Sequence, residues 1–362
     1  MSAISFDNTW AYLTGEPQAQ WAAKDFLTFR PEGYQYTMAY KRKKWDGYKS
    51  LYHVTANRFP AGLAWDVAAF LRGKGFAVEV IDTRVIPAQV RADHGRRLYE
   101  LMPHQQEAVN RIHQMTRGVV HHPVGAGKSL VIIGAVAELS QPSLVLVQRK
   151  ELLQQQYQQF VKFLPDANVG MVGDGVWNPG FITVATIQTL TSRLRRIETV
   201  KDTLEWLKQW HAVFVDECHH LPAQSYAALM ASLPNAYWRV GLSATPHRSG
   251  KKEQELYVTG LTGPVISAYD PSEGIEMGRL VPANVFLVDP GYYDKEPARG
   301  RKYDYQDEVR DGIVENERRN GIIIKLAEEF GEQGPTMILT ERLAHGQRLR
   351  DWMLDNGHEE IT

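Results

Sequence analysis

The chain has 362 residues, of which 43% are hydrophobic and 23% charged, which is enough apolar sequence for two or three folded domains. A single cysteine, Cys218, excludes an internal disulfide and favours a reducing cytoplasm. No apolar run approaches the roughly 18 residues that a membrane span requires. The net charge of −1 gives no general attraction to nucleic acid, but residues 1–98 carry 14 Lys and Arg against 9 Asp and Glu. Positive charge is therefore concentrated toward the N-terminus.

Four consecutive cations stand beside aromatic residues in this N-terminal part. Lys41, Arg42, Lys43 and Lys44 are followed directly by Trp45. Cations that follow phosphates and rings that stack on bases are typical of a surface that binds nucleic acid. The alternative is the solvent-exposed edge of a hairpin, which lysines protect from pairing with other strands.

A helix is predicted over residues 65–71, because apolar residues recur there at helical spacing and Gly73 and Gly75 follow. Packed on a small sheet, such a helix completes an α+β domain. The polar stretch at residues 92–97 then predicts a domain boundary.

A glycine-rich segment lies between the apolar stretch 118–120 and an apolar run that predicts a buried helix. The segment reads Gly125, Ala126, Gly127, Lys128 and Ser129. Glycines let backbone N–H groups approach an anion at a helix N-terminus, so this pattern predicts a phosphate loop for ATP. The lysine would reach the terminal phosphates and the serine hydroxyl would hold Mg²⁺. His122 stands where the strict pattern has its first glycine.

An acidic pair follows a second predicted strand. The apolar residues 212–215 lead directly into Asp216 and Glu217. In a parallel sheet these carboxylates would emerge at the edge where ligands bind. There Asp216 would bind Mg²⁺ through water and Glu217 would orient the water that attacks the γ-phosphate. In isolation the same pair would be the start of a loop.

A third segment follows the predicted strand at residues 239–242. Ser243 and Thr245 offer small hydroxyls that could bond the segment from Asp216 to His219 and report the nucleotide state to bound nucleic acid. Taken alone, these residues with Pro246 would be a turn.

The C-terminal part contains weaker signals. A basic turn at residues 247–252 is either a nucleic-acid contact or a solvated loop, and residues 262–300 predict a connector with a strand-like stretch at 285–288. An apolar helix is predicted around residues 322–327. Residues 336–340 then resemble the first strand of a second lobe, and 341–354 its following helix.

In their order and spacing, the segments of residues 99–246 resemble the first RecA-like lobe of superfamily 2 DNA helicases, in the branch that holds XPB-like helicases, UvsW-type phage helicases and restriction-enzyme motors. The resemblance implies that Gln105 reads the adenine of ATP, since its amide can both donate and accept. It further implies a coupling role for His219 and strand contacts by Arg149, Thr186 and Gln188.

The N-terminal part adds to this resemblance. Residues 44–47 and 59–63 are similar to the small α/β domain that precedes the motor in UvsW-type helicases, where it is associated with duplex or branched DNA. This favours the DNA-binding interpretation of the basic cluster over the hairpin edge.

We therefore predict an α/β protein in which a RecA-like parallel-sheet lobe follows a small α+β DNA-binding domain and precedes the start of a second RecA-like lobe. The expected boundaries are 1–95 for the N-terminal domain, 96–260 for the ATP-binding lobe, 261–330 for a connector with a linking helix, and 331–362 for the beginning of the second lobe.

The function implied by the resemblance is an ATP- and Mg²⁺-dependent helicase or translocase acting on branched or duplex DNA in recombination, replication or repair, in the cytoplasm or a phage host's cytoplasm. A restriction-type translocase that does not unwind DNA and a DNA-binding module with an inactive nucleotide site are the alternatives. Because the family's late second-lobe motifs do not occur in these 362 residues, we expect this chain alone to hydrolyse little ATP.

Overall fold

The computed structural model describes residues 1–88, 94–221, 224–246, 251–276, 278, 281–282, 284–291 and 304–358. The chain forms two compact units, Met1–Pro282 and Ala283–Thr362. Within the described ranges, no helix is both long and apolar enough to cross a membrane. Residues 247–250 of the basic turn, 92–93 of the predicted boundary and several connector positions lie outside the description.

The first 82 residues form a small α+β layer around a four-stranded sheet of order β5-β2-β1-β6, in which β1 runs antiparallel to β2 and parallel to β6. A two-stranded ribbon, β3 with β4, adjoins it. The elements in chain order are β1 Ser2–Phe6, β2 Trp10–Thr14, α1 Pro17–Phe26, β3 Thr28–Phe29, α2 Met38–Lys41, β4 Lys49–Ser50, β5 Arg58–Pro60, α3 Ala64–Gly73 and β6 Val78–Asp82.

Helix α3 covers this sheet, which confirms the helix predicted over residues 65–71. Its buried residues are Ala64, Val67, Ala68 and Leu71, at the i, i+3, i+4, i+7 spacing of one helical face. They pack into the same apolar core as the inward residues of β1, whose side chains alternate between buried and half-buried.

An eight-stranded sheet of order β10-β9-β11-β8-β12-β13-β7-β14 forms the centre of the larger lobe, and only β10 runs antiparallel to its neighbour. The strands are β7 Arg117–His121, β8 Ser143–Val147, β9 Val169–Gly173, β10 Val176–Asn178, β11 Ile182–Thr186, β12 Ala212–Asp216, β13 Trp238–Ser243 and β14 Val265–Ala268. The helices of this part are α4 Pro103–Met115, α5 Lys128–Leu139, α6 Lys150–Phe163, α7 Ile187–Arg195, α8 Ile197–Leu207, α9 Gln224–Ala231, α10 Lys252–Leu261 and α11 Pro271–Glu276.

Both faces of this sheet are covered by helices. Successive residues of β8 alternate between two apolar cores: Val145 and Val147 pack with α4, α5 and α6, whereas Leu144 and Leu146 pack with α7 to α10. A strand buried on both faces must be apolar throughout, which explains its continuous run of apolar residues. The doubly covered, mostly parallel sheet confirms the predicted fold class.

Strand register brings distant residues to one edge of the sheet. Asp216 at the end of β12 pairs with Leu242 of β13, and Ser243 at the end of β13 pairs with His121 at the end of β7. The loops that follow these strands therefore start side by side at the carboxyl edge, where open α/β sheets bind ligands.

Arg239 of β13 fastens the N-terminal layer to the lobe. It is only 1% exposed, and its guanidinium donates to the backbone carbonyls of Ala236, Met230 and Leu233 and to the Thr9 hydroxyl at 3.0 Å. Burial lowers the pKa of Arg239 to about 10, so it stays protonated at neutral pH.

A second buried arginine reinforces the same junction. Arg117 of β7 donates to the Asn8 carbonyl at 2.8 Å, and the Asn8 side chain donates to the Pro234 carbonyl at 3.1 Å. Beside α10, Gly62 approaches the Thr259 carbonyl so closely that a Cβ atom could not fit between them. The N-terminal layer and the lobe are therefore packed directly on one another.

The second unit is helical in its described part. It contains α12 Tyr305–Val309, a π-helical turn Arg310–Val314, α13 Glu317–Gly331 and α14 Leu343–Asp355. The side chain of Asn316 accepts from the Arg319 amide and caps α13, so the helix predicted around residues 322–327 is confirmed.

Two strand predictions are wrong. Residues 285–288 and 336–340 carry no strand hydrogen bonds within the described residues, and Met337 and Leu339 are 81% and 85% exposed. A strand needs a neighbour to satisfy its backbone, and an apolar run alone does not supply one.

Candidate nucleotide-binding and nucleic-acid sites

The phosphate loop connects β7 to α5 and contains two glycines in the left-handed region. Gly125 has φ 86° and Gly127, the N-cap of α5, has φ 76°. Other residues rarely adopt this conformation, which is why glycines occupy these positions. The Lys128 ammonium donates to the carbonyls of His122 and Pro123 at 3.3 and 3.4 Å, so it lies within the loop that it would serve.

Gln105 supports the phosphate loop from α4. Its Oε1 accepts from the Met102 amide and its Nε2 donates to the Ala126 carbonyl, both at 3.0 Å. The side chain is 3% exposed and lies so near Gly127 that a Cβ there would collide with it. One amide hydrogen and one acceptor lone pair stay available beyond these two bonds, and the adenine contact stays a prediction.

His122, the residue that replaces the usual first glycine, is completely buried beside the loop. Its Nε2 lies 3.1 Å from the Ser267 hydroxyl, and its Nδ1 has no hydrogen-bond partner among the residues that the structure describes. Burial, followed by the nearby charges of His104 and Lys128, lowers the pKa of His122 to about 4. The imidazole is therefore neutral at physiological pH.

An aromatic pair that sequence reasoning missed completes this corner. The rings of His104 and Tyr269 stack at 4.1 Å with an interplanar angle of 10°, and the His104 Nε2 lies 3.1 Å from the Ala126 carbonyl. Tyr269 follows β14, far along the chain, and no local motif marks it.

The acidic pair ends β12 in an unusual backbone conformation. Glu217 has φ 50°, in the left-handed region that residues with a Cβ rarely occupy. Its amide donates to the Asp216 Oδ1 at 3.0 Å. Burial, and then the charge of Glu217, raise the pKa of Asp216, while Lys128 acts in the opposite direction. A nearby cation would therefore be favourable at this carboxylate.

Glu217 belongs to a polar network with the third segment. Its Oε2 lies 3.2 Å from the His219 Nδ1 and 3.5 Å from the Ser243 hydroxyl, and that hydroxyl lies 2.9 Å from the same imidazole nitrogen. The Thr245 amide donates to the Ser243 Oγ at 3.1 Å, so Thr245 joins through its backbone and not through the hydroxyl that we expected. Residues predicted to couple the two segments are thus brought together.

The three remaining lobe residues expected to contact DNA differ in exposure. Arg149 and Gln188 are exposed at the starts of α6 and α7. Thr186 is 5% exposed, and its hydroxyl caps α7 by accepting from the Thr189 amide. The structure thus gives Thr186 a capping role, and its contact with DNA stays a prediction.

The basic cluster lies in the segment between β3 and β4, residues 30–48, here called the protrusion. Lys41, Arg42, Lys43 and Lys44 are all exposed at the end of α2 and just beyond it, whereas Trp45 is half-buried and donates its indole N–H to the Tyr48 carbonyl at 2.7 Å. Residues 30–48 contain no strand, so these cations do not lie on the edge strand of a hairpin.

Of the basic turn, the two described lysines bind the N-terminal layer. Lys251 forms an ion pair with Glu32 at 2.6 Å, and Lys252 donates to the Thr28 carbonyl at 2.9 Å. Both ammonium groups therefore make surface contacts with the N-terminal layer.

Comparison with known proteins agrees with this arrangement. Residues 98–248 match the family model described as Type III restriction enzyme, res subunit. The chain is 24% identical over 365 residues to the ATP-dependent DNA helicase uvsW of Enterobacteria phage T4, covering 93% of this chain and 70% of that protein. It is 34% identical over 165 residues to the putative DNA 3'-5' helicase Rad25 of Halobacterium salinarum, and 32% identical over 167 residues to the DNA 3'-5' translocase XPB2 of Sulfurisphaera tokodaii.

These matches cover 44% and 46% of this chain, but the chain spans only 25% of the Rad25 protein and 35% of XPB2. The fold is similar to the crystal structures of UvsW from bacteriophage T4. One covers 73% of this chain and 98% of its own with a TM-score of 0.61 at 22% identity, and another covers 99% and 73% with a TM-score of 0.61 at 19% identity. The resemblance to superfamily 2 DNA helicases, and to the UvsW type among them, is confirmed.

Proposed function

We propose that this chain, a relative of the UvsW-type superfamily 2 DNA helicases, couples ATP hydrolysis to movement along branched or duplex DNA. The observation that carries the proposal is the network of Glu217, His219 and Ser243 beside the phosphate loop, because it joins a catalytic carboxylate to a segment that can sense it. Residues 1–95 would bind DNA, 96–260 would bind ATP, 261–330 would connect, and 331–362 would begin a second lobe.

In this proposal the phosphates of ATP bind the backbone N–H groups at the start of α5 and the Lys128 ammonium. Gly125, Ala126 and Gly127 let the loop approach them closely. Gln105 bonds the adenine with the amide hydrogen and the acceptor lone pair that Ala126 and Met102 do not use.

Mg²⁺ would be held by the Ser129 hydroxyl and, through water, by Asp216. The described residues contain no group of three His, Cys, Asp or Glu side chains that could hold a metal. The ion would therefore need oxygen ligands from the phosphates of the nucleotide. The raised pKa of Asp216 supports this assignment. Burial disfavours the charged carboxylate, and a bound cation would stabilise that charge. When bound, Mg²⁺ supplies neutralisation of the charge that develops on the phosphates.

Glu217 would orient the attacking water and accept its proton. Any change in the charge of Glu217 alters its contacts with His219 and Ser243, and Ser243 bonds the Thr245 amide. A change in the bound nucleotide would thereby alter the contacts of the loop that follows β13.

DNA would contact the lobe through Arg149, Gln188 and the turn around Thr186, and the N-terminal layer through Lys41 to Trp45. Phosphate contacts of this kind fix the position of a strand without reading its sequence. We place the activity in recombination, replication or repair, in the cytoplasm of a cell or phage host. Similarity to DNA helicases and to a DNA translocase supports DNA as the substrate.

A second candidate is a restriction-type translocase that moves along duplex DNA without separating it. The match of residues 98–248 to the restriction-enzyme family model favours it. Both candidates use the same ATP chemistry, so they differ only in what happens to the strands.

The test is strand displacement from forked DNA, four-way junctions, blunt duplex and matching RNA by this chain joined to a complete second lobe, with Lys128→Ala as control. We expect ATP-dependent displacement from forked or junction DNA by the parent only. Release of a triplex-forming third strand without duplex separation would favour the translocase. Absence of both activities, with DNA binding and ATP binding intact, would refute the proposal.

A further inference from the structure

The protrusion contains a cleft that the ATP chemistry does not use. Its volume is about 840 Å³, within the range of roughly 300–1,000 Å³ that is usual for small-molecule sites. Three exposed ammonium groups line it, those of Lys41, Lys43 and Lys44, together with the rings of Tyr40 and Trp45. Cationic and aromatic side chains therefore line one concave surface.

The rings are held in place by contacts inside the protrusion. Tyr40 packs edge-to-face on Tyr34 at 5.0 Å, and Gly47, with φ 86°, lies so close to Tyr34 that a Cβ would approach its ring to 2.7 Å. The Arg30 guanidinium stacks over the rings of Tyr34 and Tyr48 at 5.0 and 4.4 Å. The cleft wall is thus built before any ligand arrives, which reduces the entropy cost of binding.

The Trp45 side chain lines the cleft, and two polar groups beside it are already bonded within the protrusion. The Trp45 indole N–H already donates to the Tyr48 carbonyl, and the Asp46 carboxylate accepts from the Tyr48 amide at 3.0 Å. Gln35, which also lines the cleft, carries an amide that can bond a base edge. A ligand that offers a π-face and a phosphate would match these groups.

Away from its ends, intact duplex DNA cannot offer that face, because its bases are stacked on one another and only phosphates and groove edges are exposed. Unpaired nucleotides offer both a ring and a phosphate. We propose that the cleft binds an unpaired segment of DNA, such as the single strand at a fork or junction, with a base stacked on Trp45 and phosphates paired with the three lysines. This inference rests on the proposed function and specifies the substrate of the same DNA-binding domain.

The experiment compares the affinity of the chain for a single-stranded oligonucleotide and for a blunt duplex of the same sequence, measured by fluorescence anisotropy at fixed salt. Trp45→Leu removes the aromatic face and Trp45→Phe keeps one. Trp65→Leu is the matched control, since Trp65 is 58% exposed in the same N-terminal layer but does not line the cleft.

We expect Trp45→Leu to weaken single-strand binding about fivefold or more, the lower end of what stacking of one base contributes, and duplex binding less than twofold. Trp45→Phe should retain most of the single-strand affinity but lose the quenching of tryptophan fluorescence that single-stranded DNA causes in the parent. Trp65→Leu should match the parent in both assays.

Equal loss on single strand and duplex, or no loss on either, would overturn the inference and leave the proposed helicase function standing. If Trp45→Leu proves unstable, unchanged quenching in Trp45→Phe overturns it independently. Absence of DNA binding by the parent itself would instead count against the proposed function.

Discussion

The nucleotide site and the protrusion achieve their geometry in opposite ways. The segments that carry Lys128, Glu217 and Ser243 start side by side because parallel strands align their carboxyl ends, so their positions depend on the whole sheet. The protrusion is one continuous stretch with aromatic contacts of its own, and Lys251 and Glu253 add contacts to its Glu32. A site built by long-range register should respond to core changes, whereas a locally built surface should lose only its own binding.

The largest expected effect is on chemistry in the lobe. Glu217→Gln keeps the size of the side chain but removes the base, and we expect hydrolysis of bound ATP to slow by roughly 10² to 10⁴-fold while Mg-ATP affinity is retained. Single-turnover hydrolysis by the chain joined to a complete second lobe, as in the strand-displacement test, measures this directly. The matched control is Glu205→Gln, an exposed residue on α8. Unchanged turnover of the bound nucleotide would remove Glu217 from the catalytic role.

The next effect sharpens the contrast between long-range and local construction. Arg239→Met leaves buried carbonyls without their donor, and we expect the free energy of unfolding to fall by about 3 kcal/mol. Urea denaturation measures it, with Arg195→Met on the exposed side of α7 as control. If Arg239→Met unfolds at the urea concentration of the parent, the hydrogen bonds of the buried arginine do not stabilise the folded chain.

A smaller effect concerns pH. The pKa of His122 is about 4 in the folded chain against about 6.5 when unfolded, so the unfolded state takes up the proton first as pH falls. Stability from this residue is fully present above pH 6.5 and is lost between about 6.5 and 4.

Replacing His122 by Gln should flatten that part of the stability profile by on the order of 2 kcal/mol. Urea midpoints at pH 7 and pH 4.5 compare the parent, His122→Gln and the control His358→Gln, whose half-exposed imidazole pairs with Glu328. Parallel profiles for all three proteins would mean that His122 is not buried neutral.

The smallest effect tests the local side of the comparison. Replacing Lys41, Arg42, Lys43 and Lys44 by Ala should weaken DNA binding and reduce the slope of log affinity against log salt by up to about 0.9 per lost duplex phosphate contact. Affinity for Mg-ATP should be unchanged, because these residues do not line the nucleotide site. An unchanged slope would mean that the cluster is an ordinary solvated surface that does not contact DNA phosphates.

The sequence was informative where a local pattern carries the chemistry. Gly125 to Ser129, the acidic pair and Ser243 each follow an apolar strand, so their meeting at one sheet edge could be predicted from the rules of parallel sheets. Local patterns could not reveal the burial of His122 against Ser267, nor the stacking of Tyr269 on His104, because each pairing joins distant parts of the chain.

Arg239 illustrates the same limit. The local pattern predicts only an ordinary strand at Arg239, because its partner Thr9 lies 230 residues away. The opposite error occurred at residues 336–340, where apolar character predicted a strand but no neighbouring strand exists among the described residues to complete it.

The most direct test of the central claim is the affinity of Lys128→Ala for Mg-ATP and for forked DNA, measured side by side with the parent. Because the lysine serves the phosphates and DNA binds elsewhere, we expect nucleotide affinity to fall about tenfold or more, as for loss of a hydrogen bond to a charged group, and DNA affinity to change less than twofold. Parental affinity for Mg-ATP in a folded Lys128→Ala protein would contradict the account.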